Sequence, residues 1–186
     1  MLYGKIRVNY SDIIYFWYTQ IPKRNWFIKD LAFDNLLRRQ FGHIHKQAAA
    51  MELAHWRVRP LGQLAEIIVL DQFSRNIYRN SDQAFAYDGQ ALALAQTAVA
   101  MASDIKLSAS QKAFLYMPYM HSESAVVHDQ ALVLFNQPGL EENLKFEIAH
   151  KKIIDRFGRY PHRNKLLKRS STPEEIEFLK QPGSSF

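Results

Sequence analysis

Leu61-Gly-Gln-Leu-Ala-Glu-Ile-Ile-Val-Leu-Asp-Gln-Phe-Ser-Arg-Asn-Ile77 is the stretch on which the fold turns. Wound as a helix, it leaves almost no polar side, because Leu64, Ala65, Ile67, Ile68, Val69, Leu70 and Phe73 point all round the axis. A helix that is apolar on every side belongs at the centre of a bundle. Pro60, just ahead of it, suits a first helical position, where the missing N–H has no partner to lose. Upstream, Ser11 can cap a short helix through Tyr18 that ends before Pro22, and Trp26 and Phe27 follow as an aromatic anchor. Asp30 then caps a long helix from Leu31 to Leu53, with Phe33, Leu37, Phe41, Ile44, Ala48 and Met51 in one stripe at three-and-four spacing.

Downstream the same signals recur. Ser81 or Asp82 caps a fourth helix carrying Phe85, Leu92, Ala95 and Val99, and Ser108 with Gln111 has capping-box spacing for a fifth, which Pro118 ends or kinks. A sixth runs from Ser122 to Phe135, and a seventh from Glu141 to Phe157 with Gly158 at the position after its end. Thr172-Pro-Glu-Glu175 opens a last short helix to Lys180. No stretch alternates with period two for long enough to make a strand. The expectation is an all-α protein of about eight helices, with short connections that pack sequential helices as antiparallel neighbours. Residues 11–186 form its single domain, and 1–10 read as a loosely held arm.

Composition narrows the function classes. With 186 residues, 47% of them hydrophobic, the chain can build a real core. It has no cysteine, which removes disulfides, thiolate metal sites and a cysteine nucleophile, and suits a reducing cytoplasm. The longest uncharged stretch, 89–103, is too short to span a bilayer, and the N-terminus lacks the pattern of a secretory signal. Net charge is +6, yet eight basic residues crowd 151–169 against one acid, Asp155, so the surplus is local. A concentrated positive field points to an anionic partner.

Three segments are richer in polar groups than helix packing requires. In the first, Asp71, Arg75 and Asn76 sit at the end of the most apolar helix, where i,i+4 spacing lets Asp71 and Arg75 pair. That pair reads either as a structural anchor or as part of a site. In the second, Pro118 delivers His121 and Glu123 to a helix entry, with His121 an acid–base group, a donor or a simple cap. In the third, His150 shares a helix face with Phe146, Ile154 and Phe157, and the loop after Gly158 presents Arg159, His162, Arg163 and Asn164. Guanidinium and imidazole groups there suit a phosphate or carboxylate, or pin the loop to nearby helix carbonyls. His43 and His45 face different ways on a helix, and no zinc, phosphate-loop, nucleophile-elbow or dinucleotide motif is present, so no metal or cofactor is expected.

The order of motifs resembles a known family. Phe16-Trp17-Tyr18 and Trp26-Phe27 come first, then Leu70-Asp-Gln-Phe-Ser-Arg-Asn-Ile-Tyr-Arg79, Ala84-Phe-Ala-Tyr-Asp88 and Phe114-Leu-Tyr-Met-Pro-Tyr-Met-His-Ser-Glu-Ser124. Arg156-Phe-Gly-Arg-Tyr-Pro-His-Arg-Asn164 and Ser171-Thr-Pro-Glu-Glu-Ile-Glu-Phe-Leu179 complete the set. Over residues 11–186 this resembles the bacterial domain-of-unknown-function family 924. The resemblance implies an all-α fold like a tetratricopeptide-repeat superhelix and no established reaction. Ser74 stands where that family usually has Pro, and Asn80 where it usually has Gly.

Three functional expectations follow. The leading one is a helical binding module whose Asp71, Arg75, Asn76, His121, Glu123, His150, Arg159, His162, Arg163 and Asn164 form a pocket for an anionic small molecule or an acidic peptide. The second is a hydrolase or isomerase for a phosphorylated or carboxylated metabolite, with His121 or His150 as acid–base group and Glu123 or Asp71 orienting it. The third and weakest is nucleic-acid binding through 151–169, where aromatics interleave only at Phe157 and Tyr160. Oligomeric state is open.

Overall fold

A computed structural model of the protein describes residues 8–185. Among the described residues the regular structure is helical, without a strand. The elements are α1 (Tyr10–Tyr15), α2 (Leu31–Ala49), α3 (Pro60–Ile68), α4 (Ser74–Ile77), α5 (Asp88–Ala100), α6 (Ala109–Met120), α7 (Ala125–Phe135), α8 (Glu141–Phe157) and α9 (Pro173–Phe178). A π turn over Val69–Phe73 joins α3 to α4 without a break, so residues 60–77 form one continuous helical rod.

That rod is the centre. Every residue from Gly62 to Ser74 is buried, and α3 packs on α1, α5 and α6. Burying each of its large apolar side chains is worth about 1.5–3 kcal/mol. From α5 onward each helix packs on the next, through α6 and α7 to α8. The N-terminal aromatics close the other end: Trp17 is fully buried and meets Phe73 and Phe114, and Phe16 meets Phe41 edge-on at 4.8 Å. Gly62 permits the closest approach, since a Cβ there would lie 2.0 Å from the Trp56 carbonyl oxygen on the turn Ala54–Val58.

Several boundaries move from their expected places, each for a local reason. Asn9, not Ser11, caps α1, in a reciprocal box with Asp12. Val8 and Tyr10 pack on the core, so the described end of the expected loose arm is held; residues 1–7 lie outside the described residues. Helix α2 stops at Ala49, because Met51 takes a left-handed backbone (φ 61°). Ser81 caps only a short turn over Asp82–Ala84, and α5 begins at Asp88. Pro118 does not end α6, which continues to Met120, and α7 starts at Ala125 after Ser124. Helix α9 stops at Phe178, two residues before the expected Lys180. Gly158 takes the left-handed conformation expected after α8 (φ 67°).

Candidate functional site

The π turn puts a carboxylate inside the rod. Asp71 has no exposed surface, yet it is fully engaged. Its Oδ1 lies 2.7 Å from His121 Nδ1 and 2.9 Å from Arg75 Nη1, and its Oδ2 accepts from Gln72 Nε2 at 2.5 Å. Arg75 Nη1 also donates to the Asp71 backbone carbonyl at 2.8 Å. Burial alone would raise the Asp71 carboxyl, but the charges of Arg75 and His121, with the hydrogen bonds of His121 and Gln72, hold it well below the usual carboxylate range. The i,i+4 pair expected from the sequence therefore forms, and it carries a histidine besides.

Arg75 continues the network to Asp88, the first residue of α5. Nη1 and Nη2 meet Oδ1 and Oδ2 at 2.9 and 3.0 Å, a two-pronged contact that fixes both planes. Arg163 Nη1 reaches the same Oδ2 at 3.3 Å from the turn Pro161–Arg163. Its guanidinium lies 4.7 Å from the Phe85 ring centroid and 4.6 Å from that of Tyr160, an arrangement that suits a flat delocalised cation. Burial lowers the pKa of Arg163, opposed by Asp88. Two guanidinium groups thus face two carboxylates.

His121 completes the cluster. Burial and the charge of Arg75 push its pKa below the ordinary 6.5, and Asp71 offsets only part of this. Because a carboxylate can only accept, Nδ1 carries the proton of a neutral ring, and the lone pair sits on Nε2. Nε2 has no hydrogen-bond partner among the described residues and is not enclosed, and the side chain keeps 16% of its surface exposed. The backbone on both sides of His121 is held from behind. Tyr160 donates its hydroxyl to the Met120 carbonyl at 2.5 Å, and His128 Nε2 donates to the Ser122 carbonyl at 2.9 Å. These carbonyls lie at the end of α6, where helix geometry supplies no N–H. His128 is in turn held through Nδ1 by Glu147 at 2.6 Å, both without exposed surface, and burial raises the Glu147 carboxyl.

The remaining expected residues divide. His150 and His162 pack on the Tyr160 ring at 5.7 and 5.5 Å between centroids, and burial lowers their pKa values to about 3 and about 4. His150 donates through Nδ1 to the Phe146 carbonyl at 2.7 Å, while Phe146 itself, expected on the buried face, is 56% exposed. Glu123 binds Arg169 through both oxygens and accepts from the Tyr160 N–H at 2.8 Å. Arg159 and Asn164 both turn to Glu175, the former two-pronged at 2.6 and 2.8 Å. Asn76 leaves the cluster for Asp34, which it shares with Arg79. Ser74 bonds the Leu70 carbonyl and lies 2.7 Å from His45 Nε2, a buried use of the position that Pro would not allow.

The three distant segments therefore meet at Asp71, Arg75, His121 and Arg163. Outside the candidate set lie the second carboxylate, Asp88, which the sequence offers only as the end of the Ala84–Asp88 motif, and the backing groups Phe85, His128 and Glu147. Asp88 is separated from Arg75 by 13 positions and from Arg163 by 75, spacings that carry no helical or hairpin signal. Among the described residues no group of three or more His, Asp or Glu side chains is arranged to hold a metal ion. A surface groove of about 280 Å³, lined by Arg57, Gln63, Glu66 and Met101 among others, shares no residue with the cluster.

Comparison with known proteins gives family and fold. No curated protein matches the chain. A solved structure of a protein of unknown function, ATU0120 from Agrobacterium tumefaciens, superimposes with a TM-score of 0.87 at 37% identity, covering 92% of this chain and 96% of that one. The family model described as bacterial protein of unknown function (DUF924) matches residues 13–183. The chain is thus all-α and belongs to the DUF924 family.

Proposed function

We propose that this protein is an enzyme of the hydrolase or isomerase type in which His121 Nε2 takes and returns a proton. The observation that carries the reading is a neutral imidazole fixed through Nδ1 by a buried, ionised Asp71, with Nε2 left open. In that arrangement Nε2 accepts a proton from water or from a substrate carbon or hydroxyl, and the resulting imidazolium is stabilised by the Asp71 carboxylate 2.7 Å away. Arg75 keeps Asp71 charged in both halves of the cycle. The substrate class is a carboxylated or phosphorylated metabolite whose anion competes with Asp88 for Arg75 and Arg163.

Simple anion capture uses the same residues without proton transfer. It gives no use to the imidazole held by Asp71, and Arg159, committed to Glu175, takes no part in it. Nucleic-acid binding loses support likewise. Lys151, Arg156, Arg159, Arg163 and Arg169 of the basic segment each face an acid of another element or turn. The cysteine-free composition favours a cytoplasmic setting.

Nitrogen NMR of the histidine rings tests the reading before any substrate is known. At neutral pH His121 is expected with its proton on Nδ1 and a bare Nε2, and Asp71→Asn should change that pattern. A protonated His121, or a proton on Nε2, refutes the proposal. A screen of ester, amide, lactone and phosphate substrates then supplies an activity that His121→Gln abolishes while the melting curve persists.

A further inference from the structure

The loop between the first helix and α2 exposes apolar side chains in a basic frame. Trp26 anchors its base: the indole N–H donates to the Trp17 carbonyl at 2.9 Å, and the ring stacks on Trp17 and meets Phe114 edge-on at 4.9 Å. Immediately beyond, Phe27, Ile28 and Leu31 are 67%, 51% and 73% exposed. Lys23, Arg24 and Lys29 flank them, exposed and without an ion pair among the described residues. The one acid of the loop, Asp30, turns its carboxylate to the N–H groups of Ala32 and Phe33 as the cap of α2. A rigid base, three exposed apolar side chains and three uncompensated cations make an amphipathic tip.

We propose that this Lys23–Leu31 loop docks the protein on an anionic lipid surface. Phe27, Ile28 and Leu31 enter the boundary between headgroups and acyl chains, and Lys23, Arg24 and Lys29 meet the headgroup charge. The charge pattern selects this occupant over a second copy of the chain. A two-fold self-contact would set the same patch against itself, bringing three cations against three. The inference is independent of the chemistry at His121, because the loop contributes no residue to that cluster.

Co-sedimentation tests it, using vesicles of phosphatidylcholine alone and of phosphatidylcholine mixed with phosphatidylglycerol. The wild type should bind only the mixed vesicles. Removing three surface cations costs about a hundredfold in partitioning, so Lys23→Gln, Arg24→Gln, Lys29→Gln should release the protein. Phe27→Ser, Ile28→Ser, Leu31→Ser should release it without any change in charge. Lys152→Gln, Lys165→Gln, Lys168→Gln removes equal charge from exposed sites elsewhere and should leave binding intact. Circular dichroism melts verify that every variant folds. The proposal is overturned by no binding to the mixed vesicles, by equal loss in the control triple variant, or by retention in the serine variant. A concentration-dependent dimer that the serine variant dissolves would overturn it too, assigning the surface to self-association.

Discussion

Replacing Tyr160 with Phe removes one oxygen atom, and with it the hydrogen bond to Met120 and the 3.2 Å contact with His128 Nε2 behind His121. Tyr160 is wholly buried, and burial raises its hydroxyl far above the ordinary range, so it stays protonated and donates to the Met120 carbonyl at every working pH. The ring itself is retained, and with it the contacts to the Arg163 guanidinium at 4.6 Å and to the His150 ring at 5.7 Å. What changes is that a carbonyl at the end of α6 loses its donor in a dry setting. Leaving such a group unpaired costs about 2 kcal/mol. For a chain of this size that corresponds to a fall in Tm of about 4–8 °C by calorimetry. Because Met120 directly precedes His121, the histidine ring resonance should also shift in the variant. A Tm within about 1 °C of wild type, less than the change expected for even a weak bond, would show that the hydroxyl does not hold this backbone.

Other substitutions probe the frame. Gly62→Ala places a methyl group 2.0 Å from the Trp56 carbonyl and should destabilise by about 3 kcal/mol, seen as a sharp loss of melting temperature or of soluble protein. Asn80 holds a left-handed backbone (φ 63°), so Asn80→Ala should cost about 1 kcal/mol in denaturant unfolding, whereas Asn80→Gly should not destabilise. Acid should weaken the fold through its buried imidazoles. Burial lowers His45 to about 4 against an ordinary 6.5, so the unfolded chain binds more protons and stability falls as pH drops from 6.5 towards 4; His45→Gln should flatten that slope in melts across the interval. Glu175 behaves oppositely in sign of charge: Arg159 holds it down to about 2 from 4.5, so its contribution is complete above 4.5 and disappears as pH falls to 2, and the Tm gap between wild type and Glu175→Gln should narrow over that range.

The helices were legible because their periodicity is local. The all-apolar rod from Leu61, the capping boxes at Ser108 and Thr172 and the left-handed Gly158 each depend on residues within a few positions of one another. Boundaries were less legible where two signals compete. Ser81 is a good cap but opens only a single turn, and Pro118 lies inside α6, which runs two residues further to Met120. The site was half legible. Asp71 and Arg75 are marked by charge at the end of an apolar helix, His121 by the proline before it and Arg163 by the basic loop after Gly158, whereas only the fold brings Arg163 to Asp88. Asn80 shows how a departure from a family pattern can be physically mild, since asparagine is the side chain that best tolerates the left-handed conformation glycine would have taken.

Charge placement decides how the basic C-terminal segment should be read. Along the sequence it is a block of positive charge and suggests a field facing a partner. In space five of its eight cations meet acids from three other helices and one connection: Arg163 goes to Asp88 on α5, Arg169 to Glu123 before α7, Lys151 to Asp129 on α7, and Arg156 and Arg159 to Glu174 and Glu175 on α9. Exposed pairs of this kind contribute little each, but the buried ones fix where the 159–164 turn lies. That turn brings Tyr160 against Met120 and Arg163 against Asp88, so the segment's main effect is to hold the carbonyl before His121 and the carboxylate beside Arg75. A block of charge thus becomes a clamp on the backbone beside an imidazole whose Nδ1 is held by Asp71 and whose Nε2 keeps its lone pair.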